Sequence, residues 1–253
     1  MTAGAPDPSA APDLGAPTTL VLLRHGETPL TGERRFSGSG GGDPDLSERG
    51  RAQAELAAGE LAAAPPAAGE GSAPGDPGAG TGFGAVGHAP VRAVVSSPLA
   101  RCRQTAAAAA ARLGLDVTVD EGLRETDFGA WDGLTFAEAR RRDPDTMTAW
   151  LGDPRVAPPG GESFEQVAAR VEAARDALLA AHRGTTVLLV SHVTPIKTLV
   201  RLALGAPPEA LFRMYLAPAA LCAVDHYADG NASVRYVNAT AHLRGDVAAG
   251  RGE

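Results

Sequence analysis

The amino-acid sequence predicts an α/β fold, a mostly parallel sheet sandwiched by helices with an antiparallel strand at one edge. Three observations carry that reading. Short apolar, β-branched runs at Thr18–Leu23, Val91–Ser96 and Thr186–Ser191 have the length of strands and lack an alternating polar face, as strands covered on both sides do. Segments with helical spacing separate them, so successive strands need crossovers and run parallel. Towards the end, Ala219–His226 and Ser233–Val237 flank Asp229-Gly230-Asn231, the signal of an edge hairpin.

The helices follow in order. Ser47 to about Ala63 repeats apolar residues at helical spacing behind Ser47 as a plausible N-cap. Leu99–Leu113 reads as a helix after the second strand, and Val117–Val119 adds a short strand. Leu134–Arg142 and Asp145–Leu151 read as short helices on either side of Asp143–Pro144. The clearest helix is Phe164–His182, where Ser163 and Gln166 form a capping box and Gly184 lies just past the end. Pro195–Leu204 reads as the helix after the strand Thr186–Ser191.

Length and composition bound the rest. The 253 residues and 44% hydrophobic content suit one sizeable domain. That domain is expected over residues 17–245, with a Gly/Ala/Pro-rich surface insertion at about 64–90. Residues 1–16 and 246–253 are expected to be disordered tails. A net charge of −7 argues against a nucleic-acid partner, so any phosphate site must be a local arginine cluster. Arginine is abundant, and Lys197 is the only lysine. Cys102 and Cys222 have no metal-ligand or CxxC spacing and are expected to be buried thiols. With no signal peptide and no apolar run of about 18 residues, a cytoplasmic protein without a membrane partner is expected. Oligomeric state is unread.

Two histidines stand out because His25 and His192 each lie just past a buried strand. Open parallel sheets bind ligands beyond the carboxyl ends of their strands. The other histidines, His88, His182, His226 and His242, lack polar company of the kind phosphate chemistry needs. His25 sits in Leu23-Arg24-His25-Gly26-Glu27-Thr28, where a guanidinium matches phosphate oxygens and a glycine admits close approach. Further on stand Arg34-Arg35-Phe36-Ser37-Gly38 and Asp45-Leu46-Ser47-Glu48-Arg49-Gly50. They are followed by Ser96-Ser97-Pro98-Leu99-Ala100-Arg101 with Gln104-Thr105-Ala106, and by Leu123-Arg124-Glu125-Thr126-Asp127-Phe128-Gly129. Gly160-Gly161-Glu162-Ser163 and Val190-Ser191-His192 complete the set.

In this order, over about residues 18–240, the set resembles the histidine phosphatase superfamily, also called phosphoglycerate mutase-like. The resemblance implies that His25 attacks phosphorus and becomes a phosphohistidine. It implies that Arg24, Arg101 and His192 hold the phosphoryl oxygens, that Arg35 lines the mouth, and that Glu125 is the general acid and base. Asp127 is the competing candidate for the acid. At Thr31 the family often has a phosphate-contacting asparagine, whose place a hydroxyl can take. No metal and no cofactor is called for. The implied activity is hydrolysis of a small phosphorylated metabolite, with a mutase as the alternative and an inactive phospho-ligand binding module behind it. Within the family, Ser191–Lys197 resembles the phosphatase half of actinobacterial bifunctional ribonuclease H/acid phosphatases, and α-ribazole phosphatases, so an α-ribazole 5′-phosphate-like substrate is implied. No ribonuclease H segment is expected ahead of Thr18. Trp131, Trp150 and Phe136 are candidates to cover the substrate.

Overall fold

The computed structural model describes residues 16–63 and 89–244. The expected tails at 1–16 and 246–253 and the insertion at 64–90 lie almost wholly outside those residues.

β1 (Thr18–Arg24) is the pivot of a six-stranded sheet in the order β3-β2-β4-β1-β5-β6. β2 (Val91–Ser96), β3 (Val117–Val119) and β4 (Thr186–Ser191) run parallel with it. β5 (Leu221–His226) is antiparallel to β1, and β6 (Ala232–Ala239) closes the predicted hairpin against β5. Alternation along β1 builds two cores, because successive side chains point to opposite faces. Leu20 and Leu22 pack with Val167, Val171 and Leu199 from α6 (Phe164–Ala181) and α7 (Val193–Ala203). Val21 and Leu23 pack with Ala57, Leu61, Cys102 and Ala106 from α2 (Glu48–Ala62) and α3 (Ala100–Leu113).

Local chemistry fixes the element ends. Ser47 caps α2 by accepting from Gly50 N, and Ser163 and Gln166 form the expected capping box on α6. α4 (Phe136–Arg142) begins two residues later than Leu134, because Thr135 and Glu138 form a capping box there. α5 (Pro144–Gly152) starts on its proline. α7 begins at Val193 rather than Pro195, since a proline in the first turn removes only an N–H that has no helical partner anyway. β5 begins at Leu221, because Ala219 takes φ +52 and donates its N–H to the His25 carbonyl. A one-turn helix, α1 (Pro29–Gly32), and a 3-10 segment at Pro208–Arg213 are additions the sequence did not signal.

A third cluster sits beyond the carboxyl ends of the strands, built from Phe128, Trp131, Met147, Trp150, Phe164 and Leu211. It roofs one side of the crevice. On the other side, the loop after β1 is clamped to α2 backbone against backbone. A Cβ on Gly26 would meet the Gly50 carbonyl, and one on Gly50 would meet the Glu27 carbonyl. Gly26 N donates to Thr105 Oγ1 at 3.1 Å and Glu27 N to Gln53 Oε1 at 3.0 Å, which pins the same loop.

Gly50→Ala is therefore expected to lower stability by about 1–3 kcal/mol through overpacking. Gly59→Ala, also inside α2 but with nothing within 4 Å of its Cβ, is expected to raise it by up to about 1 kcal/mol. Urea midpoints of the two variants check both; equal shifts in one direction would contradict the clamp.

Candidate active site

The register of β1 on β4 pairs Arg24 with Ser191, so the next residue of each strand, His25 and His192, emerges side by side. His25 N donates to the Ser191 carbonyl at 3.0 Å, and the two rings lie 5.1 Å apart between centroids. His25 Nδ1 is 2.7 Å from the Gly26 carbonyl, which can only accept, so Nδ1 carries the proton and Nε2 keeps its lone pair. Burial, then Arg24 and Arg101, hold the His25 imidazole well below its usual 6.5, so the ring is neutral. His192 is lowered the same way, by burial and then by Arg101 and His25. Its Nε2 lies 2.7 Å from Ser97 Oγ, at the end of β2, and 3.3 Å from Cys102 Sγ.

Arg24, at the end of β1, donates through Nη1 to the Leu216 carbonyl at 2.7 Å, while its buried Nε has no partner. Burial lowers its pKa to about 10, with Glu125 acting against that shift. Arg101, in the first turn of α3, is 1% exposed. Its Nη2 donates to the carbonyls of Ser37 and Gly38 at 2.9 and 3.3 Å, and its Nε too is buried without a partner. Asp43 accepts from Ala100 N with both oxygens, at 3.0 and 2.9 Å, which fastens the glycine-rich loop to the start of α3.

Glu125 comes from the loop between β3 and α4 and is 5% exposed. Its Oε1 accepts from Thr126 N at 2.9 Å and from Thr194 N, in the first turn of α7, at 3.3 Å. A small ion-paired network shapes that loop. Arg170 of α6 donates to the carbonyls of Gly122, Arg124 and Glu125 at 2.9, 2.7 and 3.0 Å. Glu162 pairs with Arg170 and Arg124, each at 2.9 Å, and accepts from Asp127 N at 3.1 Å. Those partners keep the Glu162 carboxyl below its usual range despite its partial burial. Arg170 was not singled out in the sequence; its only signal is a helical position facing the Gly-Gly-Glu-Ser element.

A cavity of about 310 Å³ opens over these groups. Arg24, His25, Thr31, Arg35 and Glu125 line it, together with Arg34, Thr194, Lys197 and an apolar wall that includes Phe128, Trp150, Phe164 and Phe212. His192 and Arg101 stand behind His25 and the glycine-rich loop and are not part of the lining. Asp127 is also outside it, with Oδ1 accepting from Gly129 N at 2.8 Å. Two of the lining residues also have local partners. Arg35 binds Glu33, Glu138 and the Gly133 carbonyl, and the Thr31 hydroxyl meets the Thr28 hydroxyl at 3.0 Å in the cap of α1. Trp131 is a core residue, fully buried with Nε1 donating to Asp143 at 2.8 Å, and Phe136 lies outside the cavity under Arg140. Among the described residues no group of three or more His, Cys, Asp or Glu could hold a metal ion, and no helix is long and apolar enough to cross a membrane.

The chain belongs to the histidine phosphatase superfamily (branch 1), whose model matches residues 20–72 and 79–239. Among individual relatives, a bifunctional protein of Mycobacterium tuberculosis is 48% identical over 229 residues, 90% of this chain and 56% of the relative. The chain thus spans little more than half of that protein's length. A mycobacterial glucosyl-3-phosphoglycerate phosphatase, solved in complex with VO3, is 31% identical with a TM-score of 0.71, covering 88% of this chain and 100% of that one. An Escherichia coli protein provisionally named an α-ribazole-5′-P phosphatase is 25% identical with a TM-score of 0.69, over 88% and 97% of the two chains.

Two outcomes follow from this geometry. Because His25 and His192 fold with pKa values below the unfolded value near 6.5, the unfolded chain binds more protons in acid. Stability should be full above about pH 6.5 and decline as pH falls below it; His226 and His242, lowered by burial, push the same way. A melting temperature that does not fall between about pH 7 and about pH 5.5 would contradict the buried neutral pair. Separately, Arg170→Met removes the donors to the Gly122, Arg124 and Glu125 carbonyls and is expected to speed amide hydrogen exchange in the Glu125–Asp127 loop by about tenfold or more.

Proposed function

We propose that this chain is a phosphomonoesterase that works through a phosphohistidine on His25. The observation that carries the reading is the hydrogen bond from His25 Nδ1 to the Gly26 carbonyl, which leaves Nε2 with its lone pair on a ring that lines the same cavity as Arg24. A buried guanidinium with no acidic partner is costly, and a phosphoryl group bound beside it removes that cost.

In the first step Nε2 attacks phosphorus in line with the ester oxygen, forming an N–P bond as the O–P bond breaks. Glu125 gives its proton to the departing alcohol oxygen. Arg24, Arg101 and His192 stabilise charge on the non-bridging oxygens, with Arg101 and His192 reaching them from behind the cavity floor. In the second step Glu125 takes a proton from water, the oxygen attacks phosphorus, and the N–P bond breaks to return neutral His25 and inorganic phosphate. Glu125 is preferred to Asp127 because it lines the cavity and its hydrogen-bonded oxygen is anchored on the first turn of α7. Arg35 and Thr31 shape the mouth. The chemistry requires no cofactor and no metal.

The substrate in this reading is a small phosphorylated metabolite, an α-ribazole 5′-phosphate-like ester being one candidate that the relatives' names and the apolar wall favour. The net charge of −7 supports a small-molecule partner over a nucleic acid. The buried, unpaired Cys102 and Cys222 support a cytoplasmic setting.

His25→Ala is expected to reduce p-nitrophenyl phosphate hydrolysis by at least about 10³-fold, the scale of losing an acting nucleophile. Rapid quenching of the parent should trap phosphate on the protein in an acid-labile, base-stable form. Hydrolysis that survives the substitution, or isomerisation of 3-phosphoglycerate without hydrolysis, would overturn the proposal.

A further inference from the structure

The cavity holds more positive charge than a phosphate group covers. Arg24, Arg34, Arg35 and Lys197 line it against a single carboxylate, Glu125. Arg35 is already neutralised by Glu33 and Glu138, at 2.6 and 3.0 Å. Arg24, Arg34 and Lys197 form no ion pair with an acid among the described residues. When Glu125 carries the proton that leaving-group chemistry needs, these three cations face the cavity alone. A phosphoryl group held at His25 takes Arg24, which lines the cavity with it, and Lys197 and Arg34 are left for a second anion.

Lys197 is the group placed to take the remaining anion. It is the chain's only lysine, half-buried on α7 one turn beyond His192. Its Nζ donates to the Leu211 carbonyl at 3.1 Å, which uses one of three donors and fixes the ammonium beside the 3-10 segment at the cavity rim. Burial and then the neighbouring Arg24 lower its pKa while Glu125 acts against the shift, so an added anion would stabilise the ammonium. Arg34, by contrast, is exposed to solvent, which screens it. Around Lys197 the wall is largely apolar, with Phe128, Trp150, Phe164 and Phe212, and Glu125 is the one acidic group that lines the same cavity.

We infer that Lys197 is a specificity-determining residue that reads a carboxylate on the alcohol part of the substrate. The substrate class is then a phosphomonoester whose alcohol combines an apolar, ring-sized body with a carboxylate, and it displaces as preferred candidate the α-ribazole 5′-phosphate-like ester, whose nucleoside has no carboxylate. This deepens the phosphomonoesterase reading and rests on it for turnover, but not for binding.

The test compares phenyl phosphate with its ortho-, meta- and para-carboxy derivatives on the full chain. At least one carboxy isomer should show kcat/KM about tenfold or more above phenyl phosphate, the scale of one charge-assisted hydrogen bond. In Lys197→Met that ratio should fall to about one, and Lys197→Arg should keep part of it. A ratio near one in the parent, a ratio that survives Lys197→Met, or equal losses on all esters would overturn the assignment. Where Lys197→Met does not fold, the ratios of the parent and of Lys197→Arg decide. Binding is measured alongside by calorimetry with benzylphosphonate and its carboxy derivatives, which are not hydrolysed. Tighter binding of a carboxy form by a chain that hydrolyses no ester would sink the phosphomonoesterase and keep the Lys197 assignment. Equal Kd values would do the reverse.

Discussion

β1 and β4 pair with Arg24 opposite Ser191, and the placement of the reacting groups depends on that register. A slip of one residue would turn Leu20 and Leu22 toward the layer that now holds Val21 and Leu23, and it would separate His25 from His192 by the same step. The hydrophobic layers that lock the register are therefore what lock the histidine pair. Because β2 continues the sheet beside β4, Ser97 arrives at the same level and meets His192 at 2.7 Å. Three strand ends thus bring together His25, a second imidazole and that imidazole's hydrogen-bond partner.

The cost of this arrangement is electrostatic. An acidic chain of net charge −7 gathers Arg24, Arg101 and Lys197 around two buried imidazoles. Burial and mutual repulsion keep both histidines neutral and bring Arg24 down to about 10. Neutrality is what a nitrogen nucleophile needs, so the crowding of cations around the cavity suits the role proposed for His25. An anion in the cavity would reverse the balance, since each cation would then gain a partner. The Arg170–Glu162 pair stands apart from that balance, spending its hydrogen bonds on backbone carbonyls and on Asp127 N to shape the Glu125 loop.

Much of this could be read from the chain. Buried strands announce themselves by apolar, β-branched runs, and the capping residues Ser47, Ser163 and Gln166 mark helix starts because their chemistry is local. The ordered motifs placed His25, Glu125 and His192 near one another because each lies at or beyond a strand end or in the adjoining loop. What stayed hidden depends on distant partners. Nothing near Arg35 in sequence shows that Glu138 will neutralise it, and nothing near Trp131 shows that Asp143 will take its N–H and leave it in the core. Thr31 lines the cavity as its place in the motif predicts, but nothing in the motif shows that its hydroxyl also meets Thr28 in the cap of α1. The 3-10 segment at Pro208–Arg213 lacks helical periodicity, so Leu211 and Phe212 could not be placed at the cavity from pattern alone.

That division has a consequence for how such a site can change. His25, His192 and Ser97 leave the sheet directly, and their positions are tied to backbone ladders that tolerate little movement. Phe128 and Phe212 come from a loop and a 3-10 segment, Trp150 from α5 and Phe164 from the first turn of α6, all in or against a separate aromatic cluster, and Lys197 from a half-buried position on α7. Substitutions in that wall leave β1, β4 and the register between them untouched. A change in the wall therefore requires no change at the strand ends that hold His25 and His192. The converse does not hold, because Gly26 and Gly50 approach each other with no room for a side chain, and any residue added there moves the loop that carries His25.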